Sequence, residues 1–314
     1  MQPVLSIGLP VLNGERFIAE ALDSLLEQEF TDFELIVSDN ASTDRTNAIV
    51  EGYASGDARI RHVRLERRHG AAYNFNLVAR LGRGRYFKWA AHDDVCGPRF
   101  LGSCVAALDR DPTAVLSYPR AVQIDADGDV TKQFPAYDYA FEDRPSARVH
   151  SFLTQRPACL EAYGVMRRDT LLDTRLIGPF STADGVFLLE MMLRGRFVRV
   201  DSVEFLCRTH AERSLAKYQQ SRRHWFDDSP PKGRGFPEWR LTGELVKAVL
   251  RAPIQPGEKG RALWHLSTWA SRNSTVLARD VVATAKATAR RATSTARELQ
   301  GLEAPARRKI DAQG

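Results

Sequence analysis

The chain has 314 residues, 43% hydrophobic and 27% charged, the usage of an ordinary globular protein rather than a fibrous or disordered one. That length suffices for one large α/β domain, alone or with a smaller appendage, and no apolar run reaches the roughly 18 residues that span a bilayer. The formal charge of +6 is uneven: residues 241–314 carry 13 Lys/Arg against 6 Asp/Glu, whereas residues 1–240 carry 32 against 33, so the basic character belongs to the tail.

Met1 to Leu12 has no basic start before its apolar run and contains Pro3 and Pro10, which favours a first strand over a secretory signal and a cytoplasmic chain. Val4 to Leu9 reads as that strand. Phe17, Ile18, Ala21, Leu22, Leu25 and Leu26 then recur at helical spacing, with Asn13 and Glu15 placed to cap the helix entry. Phe33 to Val37 is a second strand, Ser42 and Thr43 can cap a helix running to about Tyr53, and Ile60 to Leu65 is a third strand. Ala71 to Ala79 is helical, Gly82 and Gly84 turn the chain, and Tyr86 to Ala90 is a fourth strand leading into His92-Asp93-Asp94. This alternation predicts a mostly parallel sheet flanked by helices.

Beyond residue 120 the pattern loosens. Asp127-Gly128 is a turn between short extended segments, Asp184 to Leu193 is a helix, and Phe197 to Cys207 forms one or two strands. Residues 226–237 are rich in Pro, Gly and charge, and the chain beyond them is helical. Cys96, Cys104, Cys159 and Cys207 lack both metal-pair spacing and disulfide density, so they are expected as reduced thiols.

Ligands of open α/β sheets bind beyond the carboxyl ends of strands, and two strands here end in carboxylates: Asp39 after Leu35-Ile36-Val37-Ser38, and Asp93-Asp94 after Tyr86 to Ala90. A carboxylate at the first place can grip a nucleobase. A pair at the second can hold a ribose hydroxyl and a hard divalent cation, Mn²⁺ or Mg²⁺, which prefers oxygen ligands and substrate phosphates. Each residue also has a plainer reading, Asp39 as a turn residue and Asp93-Asp94 as helix caps; their joint occurrence points to a nucleoside-diphosphate site.

Three blocks resemble glycosyltransferase family 2: Ser6-Ile7-Gly8-Leu9-Pro10-Val11-Leu12-Asn13-Gly14-Glu15, then Phe33 to Asp44, then Tyr86 to Asp94. The resemblance covers about residues 4–210 and implies a GT-A fold, a divalent metal and inverting transfer from a nucleotide sugar. By position it implies nucleotide-sugar contacts for Pro10, Val11, Asn13, Glu15, Asp39, Asn40 and Asp93, and metal ligation for Asp94 and His210. Many relatives carry one more Asp before the pair, where this chain has Ala91. The same resemblance makes Asp184, in Ser181-Thr182-Ala183-Asp184-Gly185, the general base, although Ala183 replaces a usual Glu, and places Cys159 to Arg167 near the acceptor.

The resulting organisation is a GT-A domain over 1–225, with a nucleotide-sugar half at 1–120 and an acceptor half at 121–225, a linker at 226–240 and a basic helical region at 241–314. The donor expected is a UDP-, dTDP- or GDP-linked sugar, and the acceptor a glycan or lipid-linked hydroxyl in envelope polysaccharide synthesis. A nucleotidyltransferase stays open as a rival. A dinucleotide oxidoreductase lacks its glycine fingerprint after the first strand, and the basic tail lacks the interleaved aromatics of a nucleic-acid binder. Peripheral contact with anionic lipid at the inner face of the plasma membrane is the expectation for that tail, beside a solvated or oligomerising helix.

Overall fold

The structure is a computed structural model, and it describes residues 2–135, 139–155, 157–210 and 236–284. Its centre is a sheet of nine strands. The first four are β1 (Leu5–Val11), β2 (Phe33–Asp39), β3 (Ile60–Arg64) and β4 (Tyr86–Trp89), joined through helices α1 (Ile18–Leu26), α2 (Thr46–Gly56) and α3 (Ala71–Leu81). They lie in the order β3-β2-β1-β4, all parallel, with Leu5 opposite both Phe33 and Tyr86. Every residue of β1, β2 and β4 is buried, as a parallel sheet covered on both faces requires.

Polar residues in these strands are paired inside. Ser6 Oγ donates to Glu34 Oε1 at 2.7 Å, the Arg83 guanidinium bonds Glu34 Oε2 at 2.8 Å, and the Arg83 and Gly84 N–H groups bond Ser6 Oγ. Burial alone would raise the Glu34 carboxyl, but Arg83 and Ser6 outweigh it and hold its pKa below the ordinary value. Gly8 lets α3 approach the sheet: a Cβ there would lie 2.7 Å from Phe87 Cζ and from Val78 Cγ2.

The second half adds β5 (Val95–Cys96), α4 (Phe100–Arg110), β6 (Ala114–Ile124), β7 (Val130–Gln133), α5 (Pro145–Gln155), β8 (Val165–Arg167), α6 (Arg168–Leu172), α7 (Ala183–Met192) and β9 (Arg196–Arg208). The sheet continues from β4 as β8-β6-β9-β5, with β7 on β6. Here the directions are mixed: β8 runs antiparallel to both β4 and β6, whereas β6 and β9 are parallel. The expected α/β sheet flanked by helices is thus parallel through β1 to β4 and mixed beyond them. Gly128, at φ 93°, makes the turn between β6 and β7 that Asp127-Gly128 predicted.

The linker expected at 226–240 falls, up to residue 235, outside the described residues. From Pro237 the chain is helical, as α8 (Pro237–Arg251), α9 (Pro256–Arg272) and a further helical stretch at 274–284. Leu245, Ala248 and Val249 of α8 are buried against α7, and Ala262 and Leu266 of α9 against α5. Among the described residues no helix is long and apolar enough to cross a membrane. Among the described residues Cys96, Cys104, Cys159 and Cys207 form no disulfide, and Cys96, Cys104 and Cys207 are buried.

Two capping expectations differ from what forms. Neither Asn13 nor Glu15 caps α1, whose N-cap Phe17 makes no side-chain bond; both reach instead to the loop after β2, Asn13 Oδ1 accepting from the Thr43 N–H and Glu15 Oε2 from the Arg45 N–H. Ser42 does not cap α2 either, because its hydroxyl accepts the Asn13 N–H at 2.9 Å. The two loops above β1 and β2 satisfy each other, which consumes the polar groups that capping would have used.

Candidate active site

A cleft opens at the carboxyl ends of β1, β2 and β4, with about 1310 Å³ of empty space including its mouth. Of the residues expected to bind nucleotide sugar, metal or acceptor, Pro10, Val11, Asn40, Asp93, Asp94 and Asp184 line it together. Asn13, Glu15, Asp39 and His210 are not part of that lining, Asn13 and Glu15 being exposed.

Asp39 is fully buried at the end of β2. Its Oδ1 accepts the Ser42 N–H at 2.9 Å, and its Oδ2, which makes no hydrogen bond among the described residues, lies 3.7 Å from Arg64 Nε. Next to it Asn40 binds the backbone of His69 from both sides: its amide donates to the His69 carbonyl and its oxygen accepts the His69 N–H, each at 2.8 Å. That pair holds the loop of Arg68 and His69 at the cleft wall. Asn40 and His69 are too far apart in the chain for this pairing to be read from the sequence. Asn74, on α3, lines the cleft and donates to the Ser38 carbonyl at 2.9 Å, and its own buried amide oxygen has no hydrogen-bond partner among the described residues.

The loop after β4 carries Asp93 and Asp94, both nearly buried. It is fastened from β9 by Arg208, whose side chain is fully buried. The Arg208 N–H bonds Asp94 Oδ1 at 2.8 Å, Nε bonds the Asp93 carbonyl at 2.9 Å, and Nη1 reaches the carbonyls of Asp125 and Ala126. Its Nη2 pairs with Glu20 of α1 at 2.6 Å, and the guanidinium lies over the Phe17 ring at 4.8 Å. Arg208 is thereby the strut of the loop. His210 Nε2 sits 3.1 Å from Asp93 Oδ2, its ring is 4.7 Å from that of Phe17, and its buried Nδ1 has no hydrogen-bond partner among the described residues.

Among the described residues no set of three or more His, Cys, Asp or Glu side chains converges as a ready-made metal cage. The donors present nonetheless suit a hard cation whose shell is completed by substrate, since Mg²⁺ takes one or two carboxylates with phosphate oxygens. Asp93 and Asp94 face the cleft, and the imidazole of His210 adds a ligand acceptable to Mn²⁺.

On the opposite wall, Asp184 is in the first turn of α7, following Thr182 at φ 70°. Its side chain is open to the cleft, yet the protein mass around it pushes its pKa above the ordinary aspartate value, against the hydrogen bond it accepts from the Gly185 N–H at 2.9 Å. Cys159, in a left-handed conformation at φ 60°, lines the same wall together with Tyr163. The Tyr163 carbonyl is fixed by Lys88, a fully buried lysine of β4 whose Nζ bonds it at 2.7 Å and lies 4.3 Å from the Phe100 ring. Burial pushes the Lys88 pKa down. Ile177 completes the wall and was not expected from sequence, since it comes from a loop with no periodic signal.

The model of the family described as Glycosyl transferase family 2 matches residues 6–172. Over 169 residues the chain is 24% identical to an uncharacterized glycosyltransferase of Methanocaldococcus jannaschii, covering 53% of this chain and 58% of that one. It is 38% identical over 94 residues to the uncharacterized glycosyltransferase EpsJ of Bacillus subtilis, covering 30% of this chain and 27% of that one. With the chondroitin synthase of Escherichia coli it shares 28% over 128 residues, 41% of this chain and 18% of that one. The chain therefore spans little more than half the length of the first of these relatives and less of the others. Among solved structures, S. aureus TarS 1-349 in complex with UDP-GlcNAc superposes with a TM-score of 0.64 at 19% identity, covering 88% of this chain and 73% of that one. The mannosyltransferase PcManGT from Pyrobaculum calidifontis, in complex with GDP-Man and Mn²⁺, gives 0.50 at 18%, covering 92% and 80%. These likenesses show the shared fold.

Proposed function

The chain belongs to glycosyl transferase family 2, and on that premise we propose that it moves a sugar from a nucleoside diphosphate to an acceptor hydroxyl with inversion at the anomeric carbon. One observation carries the reading: the carboxylates in the loop after β4 and the carboxylate that opens α7 line a single cleft together with the end of β1. That is the arrangement a single displacement needs, a grip on the leaving group on one side and a base on the other.

In this mechanism Pro10, Val11 and Asn40, with the neighbouring Asp39, frame the base, and Asn74 brings to the lining a buried amide oxygen that has no hydrogen-bond partner among the described residues. Asp93 holds the ribose or diphosphate. Asp184 accepts the proton of the acceptor hydroxyl as its oxygen attacks, and the nucleoside diphosphate departs from the opposite face with both electrons of its bond to the sugar. A positioned base typically contributes about 10²–10⁴ in rate. Asp94, with Asp93 and His210, would hold Mn²⁺ or Mg²⁺, which when bound neutralises charge on the leaving diphosphate.

The relatives' names support polysaccharide synthesis as the setting, and UDP- and GDP-sugars, which neighbours bind, as the first donors to try. A thermal-shift panel of UDP, GDP, dTDP and CMP, each with and without Mn²⁺, on the wild type and on Asp94→Ala tests the reading. A ligand at 100 times its dissociation constant adds about 2.7 kcal/mol. A metal-linked shift with one diphosphate that is lost in Asp94→Ala supports it, and the absence of any nucleotide shift refutes it.

The C-terminal helices favour a second element of the reading, peripheral contact with an anionic membrane where a lipid-linked acceptor is met. Trp264 of α9 is 70% exposed and Trp239 of α8 49%, on a region with an excess of Lys and Arg, the composition of an interfacial helix. Sedimentation with anionic liposomes tests it: binding that survives Trp264→Ser unchanged, or no binding by the full chain, disposes of the idea.

A further inference from the structure

The acceptor wall of the cleft hangs on a loop, residues 173–182, that lies beyond the stretch matched by the family. The loop is under conformational constraint. Leu176 at φ 59° and Thr182 at φ 70° are both left-handed without being glycine, a state L side chains hold only where the surroundings over-determine it. Between these two residues the chain presents Ile177 to the cleft, and immediately after them comes Asp184.

The surroundings that over-determine it can be named. On the donor side, Ile177 exchanges two hydrogen bonds with Asn76 of α3, its N–H to Oδ1 at 3.0 Å and its carbonyl to Nδ2 at 2.9 Å. On the other side Arg175 is held by two carboxylates. Its N–H and its guanidinium bond Glu190 of α7, and the guanidinium also bonds the Glu244 carboxylate and, at 3.2 Å, the Glu244 carbonyl on α8. Lys247 steadies Glu244 from one turn on, at 2.9 Å. A second tie from α8 grips the far end of the loop: the Arg240 guanidinium lies over the Phe180 ring at 4.7 Å. Glu244 and Arg240 are one turn apart on the same face of α8, so one helix of the C-terminal region clasps the loop at both ends.

We propose that α8 is a working part of the transferase, in which Glu244 and Arg240 act as positioning residues that set Ile177 and Asp184 at the acceptor wall. The kinetic half of this inference rests on the transfer reading above; the structural half does not. The C-terminal helices thereby tune the acceptor side of the cleft and leave the nucleotide side, built on β1, β2 and β4, untouched.

The test uses the full chain carrying Glu244→Ala and, as the shape-preserving alternative should that variant fold poorly, Glu244→Gln, each with and without Arg240→Ala. Three quantities are compared with wild type: amide hydrogen exchange over 175–184, the thermal shift produced by UDP or GDP, and the split between kcat and donor KM. The expected result is exchange roughly tenfold faster over 175–184, a nucleotide shift equal to wild type, and kcat lowered roughly tenfold with donor KM within about twofold. Exchange over 175–184 equal to wild type in the double variant overturns the inference, as does accelerated exchange with unaltered kcat. If the wild type moves no sugar from any donor, the transferase reading fails while the exchange measurement still decides whether α8 holds the loop.

Discussion

The Arg208 N–H lies 2.8 Å from Asp94 Oδ1 while the same residue's guanidinium is buried between the Asp93 carbonyl and Glu20. One arginine therefore sets the carboxylate, its neighbour's backbone and the distance of both from α1. Arg208→Ala removes a buried cation and leaves the carbonyls of Asp93, Asp125 and Ala126 without their donor. The expected cost is about 3 kcal/mol in urea unfolding, in the range for breaking a buried pair, together with loss of the metal-linked nucleotide shift in the folded fraction.

Asp184→Asn should lower kcat by about 10²–10⁴ while nucleotide affinity stays at the wild-type level. The wild-type rate should also rise with pH through the Asp184 pKa, because only the carboxylate accepts a proton. That limb should lie above the ordinary aspartate value, since the surrounding protein raises this pKa. A pH–rate profile whose acid limb persists unchanged in Asp184→Asn removes the assignment.

Glu258 of α9 offers a cleaner pH test away from the cleft. Burial alone would raise its pKa, but the Ser146 N–H at 2.9 Å, Arg261 and Arg144 together pull it down to about 2. A depressed carboxylate stabilises the fold above its unfolded pKa of 4.5 and loses that contribution as pH falls towards 2. Glu258→Gln should therefore cost about 1 kcal/mol at pH 7, and the gap to wild type should close on acidification. A gap constant between pH 7 and pH 3 in chemical denaturation contradicts this.

Gly8→Ala tests the packing of α3 on the sheet. Because the new methyl would sit 2.7 Å from Val78 and Phe87, overpacking should cost about 1–3 kcal/mol. Gly52→Ala, where a Cβ meets nothing within 4 Å inside α2, should be neutral or stabilising by less than about 1 kcal/mol. Thermal unfolding of the pair separates close approach from glycine's general flexibility.

The nucleotide half was legible because its signals are local: continuous apolar strands, helical recurrences between them and carboxylates at strand ends. The helix α5 was not, since Arg148 occupies its core stripe, donating to the carbonyls of Met192, Glu142 and Asp143, and a charged residue there erases the apolar period. The two-residue β5 carries too little sequence to register. At the site, six of the residues picked out by motif, Pro10, Val11, Asn40, Asp93, Asp94 and Asp184, line one cleft. What motifs could not show was support: Arg208, the Asn40–His69 exchange and the Asn76–Ile177 exchange are contacts between distant segments, decided by tertiary placement.

The antiparallel insertion of β8 between β4 and β6 has a practical consequence. Val165 pairs with Lys88 on one side and Ser117 on the other, so both halves hang on one continuous ladder and share it as a common spine. The first 120 residues are consequently no detachable cassette: excised, they would leave β4 with a bare apolar edge that seeks another strand. Recombining β1 to β4 with the second half of a foreign chain calls for a crossover after β8, not before β6.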